Sequence, residues 1–237
     1  MATLILGASS GVGKETAIVL RKKIDEKIIV ASSSMNNLNK VTEFNTDFIK
    51  KEIDLKNIKS MDNFISNLSD ENINLNNVII TSGINQNEKC EFSDFKNIME
   101  TNFIGIVYFI DKISDQMKKN KKGKIICLSS VVSIRGRSKN YYYGSSKVAL
   151  NHYLEGKKME LEPFNINITT ILLGYTKTKL LNKTKMHKLA VTPNYVANNI
   201  YKLLKSKKQT VYMPWWWIIV SIILKSIPER IFIKFKF

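Results

Sequence analysis

Short apolar runs alternate along the chain with longer segments in which apolar residues recur at about every third or fourth position. The short runs predict buried β-strands, and the longer segments predict amphipathic α-helices. Strands are predicted at residues 2–6, 27–31, 47–53, 74–81, 123–129 and 166–173. Helices are predicted after the first two strands and at residues 58–68, 92–119 (with a break near Asn102) and 141–162. This order predicts an α/β fold of three layers, with helices on both faces of a doubly wound parallel sheet.

The length and composition fit one domain with a distinct tail. The chain has 237 residues, of which 44% are apolar, so it can bury a substantial core. It shows no internal repeat and no long linker. We therefore predict a single domain over residues 1–213, followed by a tail over residues 214–237 that is rich in tryptophan, aliphatic and basic residues.

The net charge of +17 has two interpretations. A strongly basic surface attracts anionic partners such as nucleic acid or membrane phosphate. The lysines, however, are scattered along the chain, and no motif for reading nucleic acid is present. This scatter favours ordinary solvated surfaces and no nucleic-acid partner, with the tail as the exception.

The cysteines and the start of the chain bear on the compartment. Cys90 and Cys127 are far apart and show neither a pairing pattern nor the spacing of metal ligands, which is typical of a reducing compartment. The first residues have no basic leader and run directly into a glycine-rich stretch, so they are interpreted as a strand and not as a signal peptide. We expect a cytoplasmic protein without a metal site.

The glycine-rich stretch, GASSGVG, lies between the first strand and a helix. Gly7, Gly11 and Gly13 allow a tight turn and a close approach of the backbone to a pyrophosphate, while amides at the helix N-terminus face the anion. Turns also favour glycine, but the position between strand and helix indicates a dinucleotide site. Lys14 is followed by Glu15 and not by the residues of a P-loop, which disfavours nucleoside triphosphate hydrolysis.

The end of the second predicted strand bears on which dinucleotide binds. An acidic residue there would hold the ribose 2′-hydroxyl of NAD. The sequence has Ser32, Ser33 and Ser34 instead, which leave room for a 2′-phosphate, and Lys14 or Lys40 are candidates to add positive charge. The pattern favours NADP and keeps NAD as the alternative, because the arginine that often accompanies NADP is missing.

Tyr143 and Lys147 are four residues apart in the predicted helix KNYYYGSSKVAL, so their side chains share one face. A phenol has a pKa near 10, and a neighbouring ammonium favours the phenolate and moves that pKa towards the working range of an acid or base. The alternative is a surface tyrosine that lies beside a lysine by accident. Tyr141 and Tyr142 share the lysine's face less well and are candidates for packing or for the substrate entrance.

Three further polar positions join this pair. Ser130 ends a predicted strand thirteen residues before Tyr143, where a hydroxyl can reach a carbonyl oxygen held by the tyrosine. Asn102 interrupts an apolar helix, and its amide either caps a turn or fixes a water that relays protons to Lys147. Gly174 and two threonines follow the next strand and suit the nicotinamide end of a dinucleotide and the start of a lid.

With these residues in order, the chain resembles the short-chain dehydrogenases/reductases from residue 1 to about residue 213, and the resemblance implies a Rossmann fold. Asn102, Ser130, Tyr143 and Lys147 fall on that family's catalytic tetrad. The resemblance implies an NADP- or NAD-dependent oxidoreductase that transfers a hydride between nicotinamide and a carbonyl or alcohol. The implied cofactor contacts are Gly7, Ser9, Ser10, Gly11, Val12, Gly13, Ser32, Ser33, Asp54, Leu55, Gly83, Tyr143, Lys147, Gly174, Thr176 and Thr178.

Within that resemblance, Tyr143 exchanges the oxygen-bound proton, Ser130 orients the oxygen, and Lys147 holds the ribose and lowers the tyrosine pKa. A homodimer or homotetramer is implied as well. Two segments depart from the family's pattern. The usual Asn-Asn-Ala-Gly is ITSG at residues 80–83, and Leu173 replaces the proline before Gly174.

The tail, PWWWIIVSIILKSIPERIFIKFKF, differs sharply from the rest of the chain. Its longest uncharged stretch is too short to span a bilayer, which needs about 20 residues. Adjacent tryptophans followed by basic residues suit the interface between membrane and water. The alternative is an extension that packs over the substrate pocket or a partner subunit. We expect peripheral contact of residues 214–237 with the inner face of the membrane, and a lipophilic or lipid-linked substrate.

Three functions compete. The leading one is an oxidoreductase of carbonyls and alcohols. The second is a catalytically silent, membrane-associated sensor or scaffold that binds a dinucleotide on the same fold, and the third is nucleic-acid binding through the positive charge. The predicted lid, residues 176–191, is short and rich in lysine, and it does not identify the substrate.

Overall fold

The computed structural model describes residues 1–42, 47–85, 90–178 and 189–235. These residues form a seven-stranded parallel sheet in the order β3-β2-β1-β4-β5-β6-β7. The strands are β1 (Ala2–Leu6), β2 (Lys27–Ser32), β3 (Phe48–Glu52), β4 (Leu75–Ile80), β5 (Gly123–Ser130), β6 (Ile166–Leu173) and β7 (Thr210–Met213). The strand order reverses between β1 and β4, so a crevice forms there at the carboxyl ends of the strands. The predicted doubly wound, three-layered α/β fold is confirmed.

Helices connect the strands. They are α1 (Gly11–Arg21), α2 (Met35–Thr42), α3 (Ile58–Asp70), α4 (Phe92–Met99), α5 (Gly105–Asn120), α6 (Tyr141–Leu161), α7 (Pro193–Leu204), α8 (Trp217–Ser226) and α9 (Glu229–Phe232). Short 3₁₀ turns follow β5 at Val131–Ile134 and α6 at Glu162–Phe164. The predicted break near Asn102 is confirmed, because a π-helical turn, Glu100–Ile104, separates α4 from α5. The helix α7 and the strand β7 were not among the predicted elements.

The central strands are buried on both faces, which explains why their sequences read as continuous apolar runs. Neighbouring residues of β1 show the alternation: Leu4 packs in a cluster on one face of the sheet and Ile5 in a cluster on the other. Phe109 of α5 lies in the first cluster and Leu20 of α1 in the second. The two cores hold the helices in place, so the loops at the carboxyl edge of the sheet rest on a rigid scaffold.

A third and smaller apolar cluster attaches the tail. Trp217, at the start of α8, is buried with Val131 of the 3₁₀ turn and Leu172 of β6. β7 ends at Met213, close to the predicted start of the tail, and the division into residues 1–213 and 214–237 stays a prediction. Among the helices within the described residues, none has the length and apolar character needed to cross a membrane.

Candidate functional site

The glycine loop lies at the carboxyl end of β1 and leads into α1. Gly7 and Gly11 have φ angles of +87° and +52°, which side-chain-bearing residues rarely adopt. A Cβ atom on Gly7 would lie 2.7 Å from the backbone nitrogen of Ser82, and one on Gly13 would collide with the carbonyl oxygen of Gly7. The three glycines therefore allow the loop to fold back against the first turn of α1 and against the segment after β4.

This loop fits the diphosphate of a dinucleotide. Its glycines leave a concave backbone surface, and the N-terminus of α1 presents amides that suit an anion. Ser9 is half-buried, Ser10 is exposed at the N-cap of α1, and Val12 is buried beneath the loop. A Cβ atom on Gly11 would lie 3.3 Å from the Thr178 methyl group, so the segment after β6 approaches the loop from the opposite side.

The predicted adenosine side lies at the ends of β2 and β3. Ser32 is buried in register with Glu52 of β3, and Ser33 is exposed. The Asp54 carboxylate accepts a hydrogen bond of 3.0 Å from the backbone N–H of Lys56. The backbone N–H of Asp54 donates to the hydroxyl of Ser60. The side chain of Asp54 is thus held by its own turn and is half-buried, in a position open to a ligand.

Leu55 packs differently from its neighbour Asp54. Its side chain is buried, and its carbonyl group lies against the Cα of Gly105, where any Cβ atom would collide with it. The contact fixes the start of α5 against the loop after β3. Leu55 therefore has a packing role in the structure, and its contact with the cofactor stays a prediction.

The segment after β4 departs in sequence from the family's pattern but remains tied to the glycine loop. The Thr81 hydroxyl donates to the Leu6 carbonyl at 2.8 Å, and the Thr81 N–H donates to the same carbonyl. A Cβ atom on Gly83 would lie 3.3 Å from Oδ1 of Asn102 and 3.5 Å from Nζ of Lys147. Gly83 therefore lets the side chains of Asn102 and Lys147 approach the segment after β4 closely.

The structure brings Ser130, Tyr143 and Lys147 together. Ser130 ends β5, and its hydroxyl contacts the Leu173 carbonyl at 3.3 Å and forms a hydrogen bond with the Tyr143 side chain. Lys147 lies one turn after Tyr143 on α6, with Nζ 5.8 Å from the centre of the tyrosine ring. The lysine is only 3% exposed, and Nζ donates to the carbonyl of Leu128 at 3.3 Å.

Asn102 reaches the same cluster from the π-helical turn. Its side-chain oxygen accepts from the Ile84 N–H and its amide donates to the Ile84 carbonyl, both at 2.8 Å. The amide also contacts the Ser146 hydroxyl at 3.2 Å, and that hydroxyl donates to the backbone carbonyl of Tyr143. Asn102 therefore joins the loop after β4 to the turn of α6 that carries the tyrosine.

Burial sets the protonation of the cluster. Removal from water raises the pKa of Tyr143 to about 12, although the hydrogen bond from Ser130 opposes the rise. Burial also lowers the pKa of Lys147, because the charged ammonium is disfavoured away from water. The net shift of the Tyr143 pKa is therefore upward, opposite to the direction expected from Lys147 alone. Desolvation of the phenol is the largest influence on its pKa, and Nζ of Lys147 lies 5.8 Å from the ring centre.

Gly174 and Thr176 follow β6 as expected, and Thr176 bridges to Val191. The Thr176 hydroxyl is close to the Gly174 carbonyl, and the backbone N–H of Thr178 donates to the Thr176 carbonyl at 2.7 Å. Most of the predicted lid, residues 179–188, lies outside the described residues. The structure thus locates the two ends of that segment beside the candidate site.

Sequence patterns missed two residues beside the site. Trp217 packs against Gly174, where any Cβ atom would collide with the indole, and Arg135 bonds the tail. The tail's tryptophans indicated an apolar surface, but nothing in the spacing linked one of them to Gly174. Tyr142 stacks on Phe95 of α4 with ring centres 4.7 Å apart, and a place for this tyrosine at the substrate entrance stays a prediction.

Within residues 1–42, 47–85, 90–178 and 189–235, no cluster of histidine, cysteine and acidic side chains is arranged to hold a metal ion. Cys127 is buried in β5 and Cys90 is half-buried before α4. His152 is exposed on α6, and His187 lies outside the described part of the chain.

The crevice at the strand-order reversal combines a glycine cradle with a buried serine and lysine and a half-buried tyrosine. An α/β fold with such a site defines a dinucleotide-dependent oxidoreductase. A family model for the short chain dehydrogenases matches residues 1–189. The chain belongs to the short chain dehydrogenase family and is an NAD(P)-dependent oxidoreductase that interconverts CH–OH and C=O groups.

Individual relatives agree with this assignment. The chain is similar to a 3-ketodihydrosphingosine reductase of Bacteroides thetaiotaomicron, with 26% identity over 205 residues that cover 85% of this chain and 74% of the relative. It is 30% identical to a 3-oxoacyl-(acyl-carrier-protein) reductase of Buchnera aphidicola over 193 residues, which cover 79% of this chain and 78% of the relative. The closed form of a serine dehydrogenase complexed with NADP⁺ has the same fold, with a TM-score of 0.82 and 18% identity over 90% of this chain and 94% of that one.

Proposed function

We propose that this protein is an NADPH-dependent reductase of a ketone on a lipophilic or lipid-linked substrate. The observation that carries the proposal is the hydrogen bond between Ser130 and Tyr143 beside the glycine cradle, with Lys147 buried one helical turn away. The high pKa of Tyr143 keeps its phenol protonated at neutral pH, which is the form that a proton donor needs.

The side chains have distinct roles in this proposal. A bound nicotinamide supplies the hydride. Ser130 donates a hydrogen bond to the substrate oxygen, and Tyr143 gives its phenolic proton to that oxygen as the alcohol forms. Lys147 binds the ribose and, with Ser130, stabilises the phenolate that remains. Asn102 holds the loop after β4 against the turn of α6 that carries Tyr143. That Asn102 also binds a water that relays protons stays a prediction.

The preference for NADP rests on the end of β2. Ser32 and Ser33 provide hydroxyl groups where a carboxylate would repel a 2′-phosphate, and Glu52 lies on the neighbouring strand. Lys14 lies in α1 and Lys40 in the last turn of α2, and both are candidates to contact the phosphate. The complex of the structurally similar serine dehydrogenase with NADP⁺ supports the same preference.

The class of substrate is inferred from the relatives and from the tail. By their names, one relative reduces 3-ketodihydrosphingosine and the other a 3-oxoacyl group on an acyl-carrier-protein. The tail of this chain exposes an apolar surface on α8, and its buried Trp217 packs beside Gly174. We therefore propose a 3-oxo compound with a long acyl chain. The enzyme would be cytoplasmic and homo-oligomeric, a dimer or tetramer.

Cofactor titration followed by turnover tests the proposed function. We expect the purified chain to bind NADPH more tightly than NADH, as measured by the fluorescence of the reduced nicotinamide. It should then oxidise NADPH with methyl 3-oxohexadecanoate in detergent, and more slowly with ethyl acetoacetate. Failure to bind either dinucleotide, or binding without turnover on either ketone, would contradict the proposal.

The raised pKa of Tyr143 predicts opposite pH profiles for the two directions. Reduction needs the protonated phenol, so its kcat/KM should be level from about pH 7 to 9 and fall only as the pH approaches the raised pKa. Oxidation needs the phenolate, so its kcat/KM should rise by about tenfold per pH unit over the same interval. Initial rates in both directions measure the profiles, and a reduction rate that halves below pH 8 would be inconsistent with a donor of high pKa.

We also propose that the tail binds the membrane surface through the outer face of α8. The isoleucines on that face are exposed, with Ile222 at 61% and Ile223 at 56%. Exposed basic residues accompany them at Lys225 and Arg230, which suits anionic headgroups. An exposed apolar face of this kind is costly in water and is typical of an interaction surface.

Replacing Ile222 and Ile223 by glutamate should abolish this binding. The change puts two charges into the face that enters the headgroup region, so the fraction of protein that sediments with phosphatidylglycerol vesicles should fall at least about tenfold. The matched control is the double variant Ile58→Glu, Met159→Glu, which adds the same charge at exposed apolar positions on α3 and α6. Equal sedimentation of both double variants would place membrane contact elsewhere.

A further inference from the structure

The inner face of α8 lies against the catalytic region. Trp217 is 5% exposed, and its indole occupies the space beside Gly174 where a Cβ atom would be. Gly174 directly follows Leu173, whose carbonyl contacts the Ser130 hydroxyl. The helix whose outer face is proposed to meet the membrane therefore forms, on its inner face, a wall beside the candidate proton-transfer site.

Arg135 fastens this helix to the rest of the protein. Its guanidinium donates to the carbonyl of Leu224 at 2.6 Å and to the carbonyl of Ile227, at the C-terminal end of α8. The same group lies 4.0 Å from the centre of the Phe232 ring in α9. A cation at the C-terminus of a helix satisfies the unpaired carbonyls and the negative end of the helix dipole, so Arg135 stabilises the position of α8 and α9 together.

Arg135 and Ser130 belong to one compact turn. Ser130 caps the 3₁₀ turn Val131–Ile134, accepting from the Val132 N–H at 3.3 Å, and Arg135 directly follows the turn. The hydroxyl of Ser133 donates to the Ser130 carbonyl at 2.6 Å and accepts from the side chain of Asn151 on α6. A displacement of Arg135 is thus transmitted through a short, hydrogen-bonded unit to the serine.

The rest of the inner face packs through apolar contacts. The Trp217 indole N–H and the Ser221 hydroxyl are buried without a hydrogen-bond partner in the described structure. Each unpaired buried polar group is destabilising, because its hydrogen bonds to water are lost and not replaced, and this weakens the attachment of α8. The attachment therefore depends strongly on the hydrogen bonds that Arg135 makes.

We propose that Arg135 is a positioning residue that couples the membrane-docked tail to the substrate site, so that an anionic bilayer surface is a partner of catalysis. In this proposal the outer face of α8 contacts the bilayer, and Arg135 holds α8 and α9 against the turn that begins at Ser130. Trp217, packed beside Gly174, then fixes the position of the substrate site relative to the bilayer. A ketone in the membrane then reaches Ser130 and Tyr143 along α8. The inference rests on the proposed reductase function and on the proposed membrane contact of α8.

The variants Arg135→Gln and Arg135→Lys test the coupling. Two ketones are compared with NADPH: methyl 3-oxohexadecanoate in vesicles of phosphatidylglycerol and phosphatidylcholine, and ethyl acetoacetate in buffer. For Arg135→Gln we expect the ratio of kcat/KM for the vesicle substrate to that for the soluble one to fall at least about tenfold, because the tail no longer holds the site. Sedimentation with vesicles should stay within about twofold of wild type, because the outer face of α8 is unchanged.

Two further variants separate the effect of the Arg135 hydrogen bonds to the tail from the effect of removing a positive charge. Arg135→Lys keeps a donor at the end of α8 and should restore part of the ratio. Lys139→Gln removes a positive charge from the same loop at an exposed position and should behave as wild type. A measurement independent of turnover is tryptic cleavage after Lys225 and Arg230 without vesicles, which Arg135→Gln should accelerate about fivefold or more by releasing the tail.

The outcomes distinguish the two proposals. Turnover on both ketones with an unchanged ratio in Arg135→Gln would overturn the coupling and leave the reductase function intact. A parallel loss of sedimentation in Arg135→Gln would also overturn it, because the arginine would then act in docking itself. Absence of turnover by the wild-type protein on both ketones would overturn the reductase function and the coupling with it.

Discussion

Replacing Tyr143 by phenylalanine should lower kcat for ketone reduction by about 10²- to 10⁴-fold. The phenol is the candidate proton donor, it is hydrogen-bonded to Ser130, and burial keeps it protonated. Phenylalanine preserves the ring and its packing on α6, so the affinity for NADPH should change less than about twofold. Turnover is followed by NADPH absorbance, and binding by nicotinamide fluorescence.

The neighbouring tyrosine supplies the control. Tyr142→Phe keeps the stacking on Phe95 and removes a hydroxyl that the proposal does not use, so kcat should change less than about threefold. Equal losses in Tyr142→Phe and Tyr143→Phe would contradict the assignment of the donor. A wild-type protein that binds NADPH but is indifferent to Tyr143→Phe, with no turnover on any ketone, would instead fit a sensor or scaffold.

Much of the fold and the core of the site could be predicted because they depend on local patterns. The buried strands read as apolar runs, and parallel pairing follows from their alternation with helices. The spacing of Tyr143 and Lys147 fixes their shared face on a helix, and the position of Ser130 at a strand end brings it to the same edge of the sheet. These features need little knowledge of distant contacts.

The contacts of the tail could not be predicted because they join residues that are far apart in the chain. Arg135 bonds the carbonyl of Ile227, ninety-two residues later, and its own sequence neighbourhood gives no indication of that partner. Gly174 was assigned to the nicotinamide end, and the structure adds the Trp217 indole as a second reason for a glycine there. Such pairs are set by tertiary packing and not by periodicity.

The direction of the Tyr143 pKa shift could not be predicted from the sequence either. Sequence spacing places an ammonium near a phenol, which by itself predicts a lower pKa. The actual shift depends on how deeply both groups are buried, and burial raises the phenol pKa and lowers that of the Lys147 ammonium. The assignment of residues to the site follows from the pattern, whereas their protonation follows from the three-dimensional environment.

Replacing Gly13 by alanine should weaken NADPH binding by about 10- to 100-fold, equivalent to ~1.4–3 kcal/mol. The added Cβ atom would collide with the carbonyl oxygen of Gly7 and with the Thr81 hydroxyl. Because the first of these is backbone, relief requires the glycine loop to move away from α1, which displaces the amides that would hold the diphosphate. Fluorescence titration measures the affinity, and urea unfolding should show a loss of stability of about 1–3 kcal/mol.

Gly156→Ala is the matched control, since it adds the same methyl group to an exposed position of α6 with no atom within 4 Å. Alanine is the better helix former, so this variant should gain about 0.5–1 kcal/mol of stability and bind NADPH as wild type does. A Gly13→Ala protein that is folded and binds NADPH with unchanged affinity would show that the diphosphate does not rest on this loop. A loss of binding in both variants would mean that an added methyl group weakens binding without regard to its position, and would contradict a specific role of Gly13. The unfolding free energies of the two variants should change in opposite directions.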